Sequence, residues 1–318
     1  MALTTPTVLV LRALGIGDLL TAVPALRGLR RAFPARRIVL ATPAKLAPLV
    51  PLTTSVDDIL PTEGLVRLRW SGPAPVLAVN LHGAGPESIQ ILTAVRPARV
   101  LSHRHVSFPG LTGPLWKAGQ HEIRRWCRLL GHAGISCDPA DFLLTTPDTA
   151  SPAPGVTVLH PGASHRSRQW PPDRYAAVAR TLIAAGHRMV ITGNQDEKPV
   201  AARIAAAAGL DQSQVLAGKL GLLELAALVA EAELVICGDT GIGHLATGYR
   251  TRSVRLFGPV SPKLWGPPET DSRHVVLWSG RTGDTFADQP DPGLLEIGVD
   301  DVLDAAQNAD EHPAISSG

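Results

Sequence analysis

The stretch "TVLVLRALGIGDLLTAVPALRGLRRAF", residues 7–33, decides the fold class. Thr7 to Leu11 form an apolar, β-branched run of strand length. Two glycines, Gly15 and Gly17, and a carboxylate, Asp18, follow; Leu19, Val23, Leu26, Leu29 and Phe33 then recur at helical spacing. A strand, a glycine turn and an amphipathic helix in that order make a βα unit. Pro24 removes one backbone donor, which predicts a kink there or a helix that begins near it.

The alternation continues along the chain. "RIVLAT" (37–42), "VDDIL" (56–60) and "VLAVN" (76–80) read as strands. A Pro, Ser and Gly cluster, "PDTASPAPG" (147–155), then reads as an interdomain linker. Beyond it "VTVLH", "RMVIT", "QVLA", "ELVIC" and "SVRLF" read as strands between helical stretches such as "DRYAAVARTLIAAGH" and "LLELAALVAEA". Apolar strands alternating with helices predict parallel sheets covered on both faces, so the class is α/β with two doubly wound domains. The expected boundaries are residues 1–150 and 151–297, with a loop over "SGRTGDTFADQPDPG". A terminal helix, "VDDVLDAAQ", and a flexible tail occupy 298–318.

Composition narrows the function classes. The chain has 318 residues, 45% hydrophobic and 18% charged, with no apolar run long enough to span a membrane. No secretory signal is visible at the N-terminus, so the expected location is cytoplasmic. The three cysteines, Cys127, Cys137 and Cys237, lack metal or redox spacing and are expected to be reduced and structural. Residues 1–150 carry 16 Lys and Arg against 9 Asp and Glu, and the remainder 14 against 19. A basic first half suits an anionic partner or a membrane surface, and equally suits arginines on solvated helix faces.

The glycine turn fails two nucleotide fingerprints. Leu20 stands where a dinucleotide site has its third glycine, and no acid follows near position 40. "GKL" at 218–220 lacks the P-loop hydroxyl. An oxidoreductase, an epimerase and NTP hydrolysis are therefore disfavoured. What remains is a turn that brings backbone close to a ligand, with Asp18 at a helix start, where aspartate commonly serves as a cap.

The second half offers anion sites. "HPGASHRSRQWPPDRY" (160–175) leaves a strand through Pro and Gly and presents Ser164, Arg166 and Arg168. "CGDTGIGHLA" (237–246) sets Asp239 and Thr240 at a strand end and opens a helix whose amides suit a phosphate. His244 lies on its first turn, and "FGPVSPKLWGP" (257–267) is a loop at the same sheet edge.

These residues, with "NLHG" at 80–83, "GKLGLLELAALVAEAELVICGDTGIGHLA" and "IGVDDVLDAAQ", resemble in order the family 9 glycosyltransferases, the ADP-heptose:lipopolysaccharide heptosyltransferases among them. The resemblance covers most of the chain. It implies a GT-B fold of two Rossmann-like domains with a cleft between them, acceptor bound by the first and nucleotide sugar by the second. It further implies an inverting, metal-independent transfer of a heptose-type sugar from an ADP-sugar, with no cofactor, and the chain has no DxD triplet. Asp18 would be the general base above the Gly15 and Gly17 turn. Ser164, Thr240 and Gly241 would contact the donor diphosphate, His244 would assist there, and Asp239 would read sugar hydroxyls. Glu197 would accept from the ribose, and Leu220 would offer backbone to adenine. Arg168 stands where heptosyltransferases place a lysine, and its planar fork leaves donor choice open. Asn80 stands where the family often has an aspartate. The acceptor, a glycan, a lipid-linked glycan or a small secondary metabolite, stays open, as does a peripheral contact at the inner face of the membrane. No nucleic acid is expected. The alternatives are another nucleotide sugar as donor, or a non-catalytic GT-B-like binding protein.

Overall fold

The computed structural model describes residues 6–310, and the chain divides after Thr145 into two compact units. The first contains β1 (Thr7–Leu11), α1 (Ile16–Thr21), α2 (Val23–Ala32), β2 (Arg37–Thr42), β3 (Asp58–Pro61), β4 (Leu77–Asn80), α3 (Glu87–Thr93), β5 (Val100–Leu101) and α4 (Glu122–His132). Its strands form one parallel sheet in the order β3-β2-β1-β4-β5. Pro24 lies in the first turn of α2, where its missing N–H costs nothing, and the helical pattern breaks at Ala22 as expected. Leu9, Leu11, Val39, Ala41 and Ala78 of the strands bury together with Leu92 of α3.

The second unit contains β6 (Thr157–His160), α5 (Pro172–Ala184), β7 (Met189–Ile191), α6 (Lys198–Ala208), α7 (Leu222–Ala230), β8 (Leu234–Gly238), α8 (Gly241–Tyr249), β9 (Ser253–Phe257), α9 (Pro262–Trp265), β10 (His274–Trp278), α10 (Pro292–Glu296) and α11 (Val299–Asp310). Its parallel sheet runs β10-β9-β8-β6-β7. Leu159, Ile191, Ile236, Val254 and Leu256 fill its centre, with Val178 of α5 and Val302, Ala305 and Ala306 of α11 packed on them. Each of the Leu, Ile and Val side chains contributes about 1.5–3 kcal/mol by leaving water. Trp170 is fully buried and donates Nε1–H to the Ile297 carbonyl at 3.0 Å, tying the terminal helices to this core.

Three expectations change. "QVLA" is not a strand: Val215 makes a single bridge to Ile191 beside the edge strand β7, and the fifth strand is β10. Cys127 and Cys137 are joined as a disulfide, with Cα atoms 5.1 Å apart, while Cys237 is free and buried. The helix α11 runs to Asp310, so the first residues assigned to the tail are helical; the rest of that tail lies outside the described residues.

Candidate active site

Each sheet has one switch point, where successive connections leave in opposite directions. In the first unit it falls between β1 and β4, and in the second between β6 and β8. Ligands of doubly wound sheets bind outside the carboxyl ends of the strands at this crevice. The glycine turn follows β1, "NLHG" ends β4, the Ser164 loop follows β6, and Asp239 follows β8.

Asp18 does act as a cap. It occupies the third position of α1, and its Oδ2 accepts the Gly15 N–H at 3.1 Å. Its other oxygen accepts from Arg12 Nη2 at 3.1 Å, and Arg12 Nε donates to the Asp18 carbonyl at 2.9 Å. The Asp18 side chain stays 26% exposed while Arg12 is only 1% exposed. The same Nη2 reaches Thr21 Oγ1 at 3.3 Å and Glu122 Oε1 at 3.0 Å, and Nη1 donates to the Leu81 carbonyl. Glu122 in turn accepts from Arg125 Nε at 2.9 Å and Trp126 Nε1 at 3.0 Å. A buried guanidinium with all three nitrogens engaged thus fixes Asp18 in the first turn of α1.

Gly15 is exposed, and its φ of −88° lies outside the left-handed region. A Cβ there would meet only Asp18 Oδ2, at 3.5 Å, an ordinary contact. The fold asks for no glycine at this position. Gly17 sits in the first turn of α1.

In the second unit Arg168 Nη1 lies 3.4 Å from Asp239 Oδ2, so two residues with separate expected roles form an ion pair. Arg255 of β9, 0% exposed, approaches the other oxygen at 3.9 Å. Its guanidinium lies under the first turn of α8, where a Cβ at Gly243 would stand 2.7 Å from Nε. Desolvation pushes the Arg255 pKa down. Thr240 is the N-cap of α8, and its own side chain makes no capping hydrogen bond. Gly241 is its first residue, and His244, one turn on, packs edge-on against Trp265 with ring centroids 6.2 Å apart. Ser164 is exposed in the loop after β6.

Glu197 occupies the N-cap position of α6 without capping it through its side chain; its carboxylate accepts the Asn194 N–H at 2.7 Å and lies against Gly162, where a Cβ would fall 2.1 Å from it. Burial pushes its pKa up, partly offset by the Asn194 hydrogen bond. Gly218 N–H donates to the Gly193 carbonyl at 3.0 Å, which brings the loop that carries Leu220 beside the loop that carries Glu197. Among the described residues no group of three or more His, Cys, Asp or Glu gathers as a metal site, and no helix is long and apolar enough to cross a membrane.

Sequence reasoning missed Arg12, Glu122 and Arg255. Arg255 left a signal: a charge inside the buried run "SVRLF" demands a partner. Glu122 left none, being 110 residues from Arg12.

Known proteins agree with this architecture. The profile of Glycosyltransferase family 9 (heptosyltransferase) matches residues 116–289, more than half of the chain. Lipooligosaccharide heptosyltransferase 2 of Haemophilus influenzae is 31% identical over 120 residues, which cover 36% of this chain and 34% of that one. The aligned stretch is thus about a third of that relative's length. Among solved structures, the family 9 glycosyl transferase of Veillonella parvula DSM 2008 superposes with a TM-score of 0.79 at 18% identity, covering 98% of this chain and 99% of that one. The E. coli ADP-heptose lps heptosyltransferase II superposes at 0.75 and 21% identity, covering 95% and 98%. The fold is GT-B, and the chain belongs to glycosyltransferase family 9.

Proposed function

We propose that this protein transfers a heptose-type sugar from an ADP-sugar to a hydroxyl of a lipopolysaccharide-type acceptor. The observation that carries the reading is that the loops bearing Asp18, Ser164, Arg168 and Asp239 each follow a strand that flanks the switch point of its own sheet. The family match and the names of the relatives supply the sugar and the acceptor.

Asp18 takes the proton of the acceptor hydroxyl as that oxygen attacks the anomeric carbon. The bond from that carbon to the diphosphate breaks, and the nucleoside diphosphate leaves with its electron pair. A single displacement of this kind inverts the anomeric centre. Each Asp18 oxygen accepts one hydrogen bond, from Arg12 or from Gly15, and keeps a second lone pair for the incoming proton. The bare Gly15 leaves room above the turn for the reacting groups. In the second unit the start of α8, with the Thr240 and Gly241 amides, receives the diphosphate; Ser164 and His244 add donors. Arg168 answers the charge that develops on the leaving group without needing a metal, and Asp239 orients it while accepting from sugar hydroxyls. Glu197 accepts from the ribose, and the Leu220 backbone meets the adenine. Catalysis takes place in the cytoplasm, with the basic first half turned to an anionic acceptor at the membrane surface.

The test combines calorimetric titration with ADP, UDP, GDP and NAD in EDTA with turnover of ADP-heptose by wild type and Asp18→Asn. Selective ADP binding and a loss of transfer of about 10²–10⁴-fold in the variant, at unchanged ADP affinity, are expected. Preference for UDP or GDP would overturn the donor, and full activity of Asp18→Asn would overturn the base.

A further inference from the structure

The loop after β4 carries a side chain that none of these roles uses. Asn80, the last residue of β4, is fully buried. Its Nδ2 lies 3.2 Å from the Gly83 carbonyl and 3.0 Å from each of the Ser88 and Ser102 hydroxyls, and its Oδ1 accepts the His82 N–H at 3.1 Å. These bonds fix the backbone from 80 to 83, so the His82 ring stands on a rigid mount.

The ring orientation is fixed as well. His82 Nδ1 lies 3.2 Å from the backbone N–H of Ala13, which can only donate. An accepting Nδ1 bears no proton, so the neutral ring keeps its proton on Nε2. Burial, aided by the nearby Arg12 charge, holds the His82 pKa at about 4, and the ring is neutral near pH 7. It makes no other hydrogen bond among the described residues. A half-buried imidazole therefore presents one unused donor.

Asp18 is anchored to the same short segment. Arg12 holds Asp18 through Nε and Nη2 and the Leu81 carbonyl through Nη1, while the next residue, Ala13, holds His82. The carboxylate and the imidazole are thus mounted on adjacent residues at the crevice between β1 and β4.

We infer that His82 donates an Nε2–H hydrogen bond to an acceptor oxygen neighbouring the hydroxyl that Asp18 deprotonates, and so selects polyol acceptors with adjacent oxygens. This rests on the role of Asp18 given above. An ionised carboxylate only accepts hydrogen bonds, so by itself it cannot choose among the hydroxyls of a sugar. A fixed neutral donor anchored to the next residue of the same segment can. The proton of the reacting hydroxyl goes to Asp18, and His82 keeps its own throughout.

The test uses the full-length protein with ADP-heptose and heptose-free lipopolysaccharide, comparing wild type, His82→Phe and His82→Gln. His82→Phe is expected to lower kcat/KM for the lipopolysaccharide about tenfold while leaving the ADP Kd within about twofold. His82→Gln, which restores an amide donor, is expected to recover most of that loss. Nitrogen-15 NMR of the wild-type imidazole at pH 7 is expected to show the proton on Nε2. A proton on Nδ1, wild-type kcat/KM in His82→Phe, or a parallel fall in ADP affinity would overturn the assignment. A wild type that transfers nothing would instead overturn the parent reading, and this inference with it.

Discussion

Arg12 stands one residue beyond β1, and its guanidinium joins Asp18 of the turn to Glu122 of α4. Removing it would strand one half-buried and one buried carboxylate. Arg12→Met is expected to cost about 3–5 kcal/mol, the usual penalty for breaking a buried charge network from one side, read as a lower urea midpoint. A midpoint within error of wild type would mean that Asp18 and Glu122 find other partners. The sequence showed Gly15, Gly17 and Asp18 because they are neighbours in a recognisable turn. It hid what holds them, since Arg12 meets Glu122 and Ala13 meets His82 only once the sheet has formed. Local spacing reports caps and turns, and it is silent on partners brought together by strand order.

At the scale of elements, three histidines mark the carboxyl ends of strands: His82 just past β4, His103 just past β5, and His160 ending β6. Burial is the leading cause that holds each near a pKa of about 4, with Arg12 adding to it at His82, and Arg128 and Arg125 at His103. Folded values below the ordinary 6.5 mean that the unfolded chain binds more protons between those limits. Their contribution is whole above pH 6.5 and is lost as the pH falls through the window towards 4. Unfolding near pH 5.5 is expected to take up about two to three protons from these groups, a slope of roughly 3–4 kcal/mol per pH unit. Urea midpoints measured from pH 7 to 5 check the slope, and a flat profile would mean that the rings reach water before the fold opens. The strands were legible where a run was fully buried, as in β1, β8 and β9, or buried after its first residue, as in β2. The edges were not. "QVLA" has strand composition but only one bridge, whereas β10, with four of its five residues half-buried, pairs along its whole length with β9.

At the scale of the whole molecule, each unit has its own sheet and core, so the chain need not unfold in a single step. The proposed nucleotide site belongs wholly to the second unit. In calorimetric scans, ADP at about 100 times its Kd is expected to add roughly 2.7 kcal/mol to the transition of that unit, a shift of several degrees, with UDP, GDP and NAD much weaker. Equal shifts from all four would mean that the site does not read the base. The buried bridge from Arg12 to Glu122 has a different consequence, for anyone who builds chimeras of this protein. The segment between β5 and α4 is a natural place to graft a foreign loop, since it carries no strand or helix of its own. Yet its far boundary is Glu122, the first residue of α4. A graft that changes the register there would detune Asp18 from 110 positions away from its anchor, with no altered residue near the turn. The exchange should therefore end before His121, so that Glu122, Arg125 and Trp126 travel with the recipient.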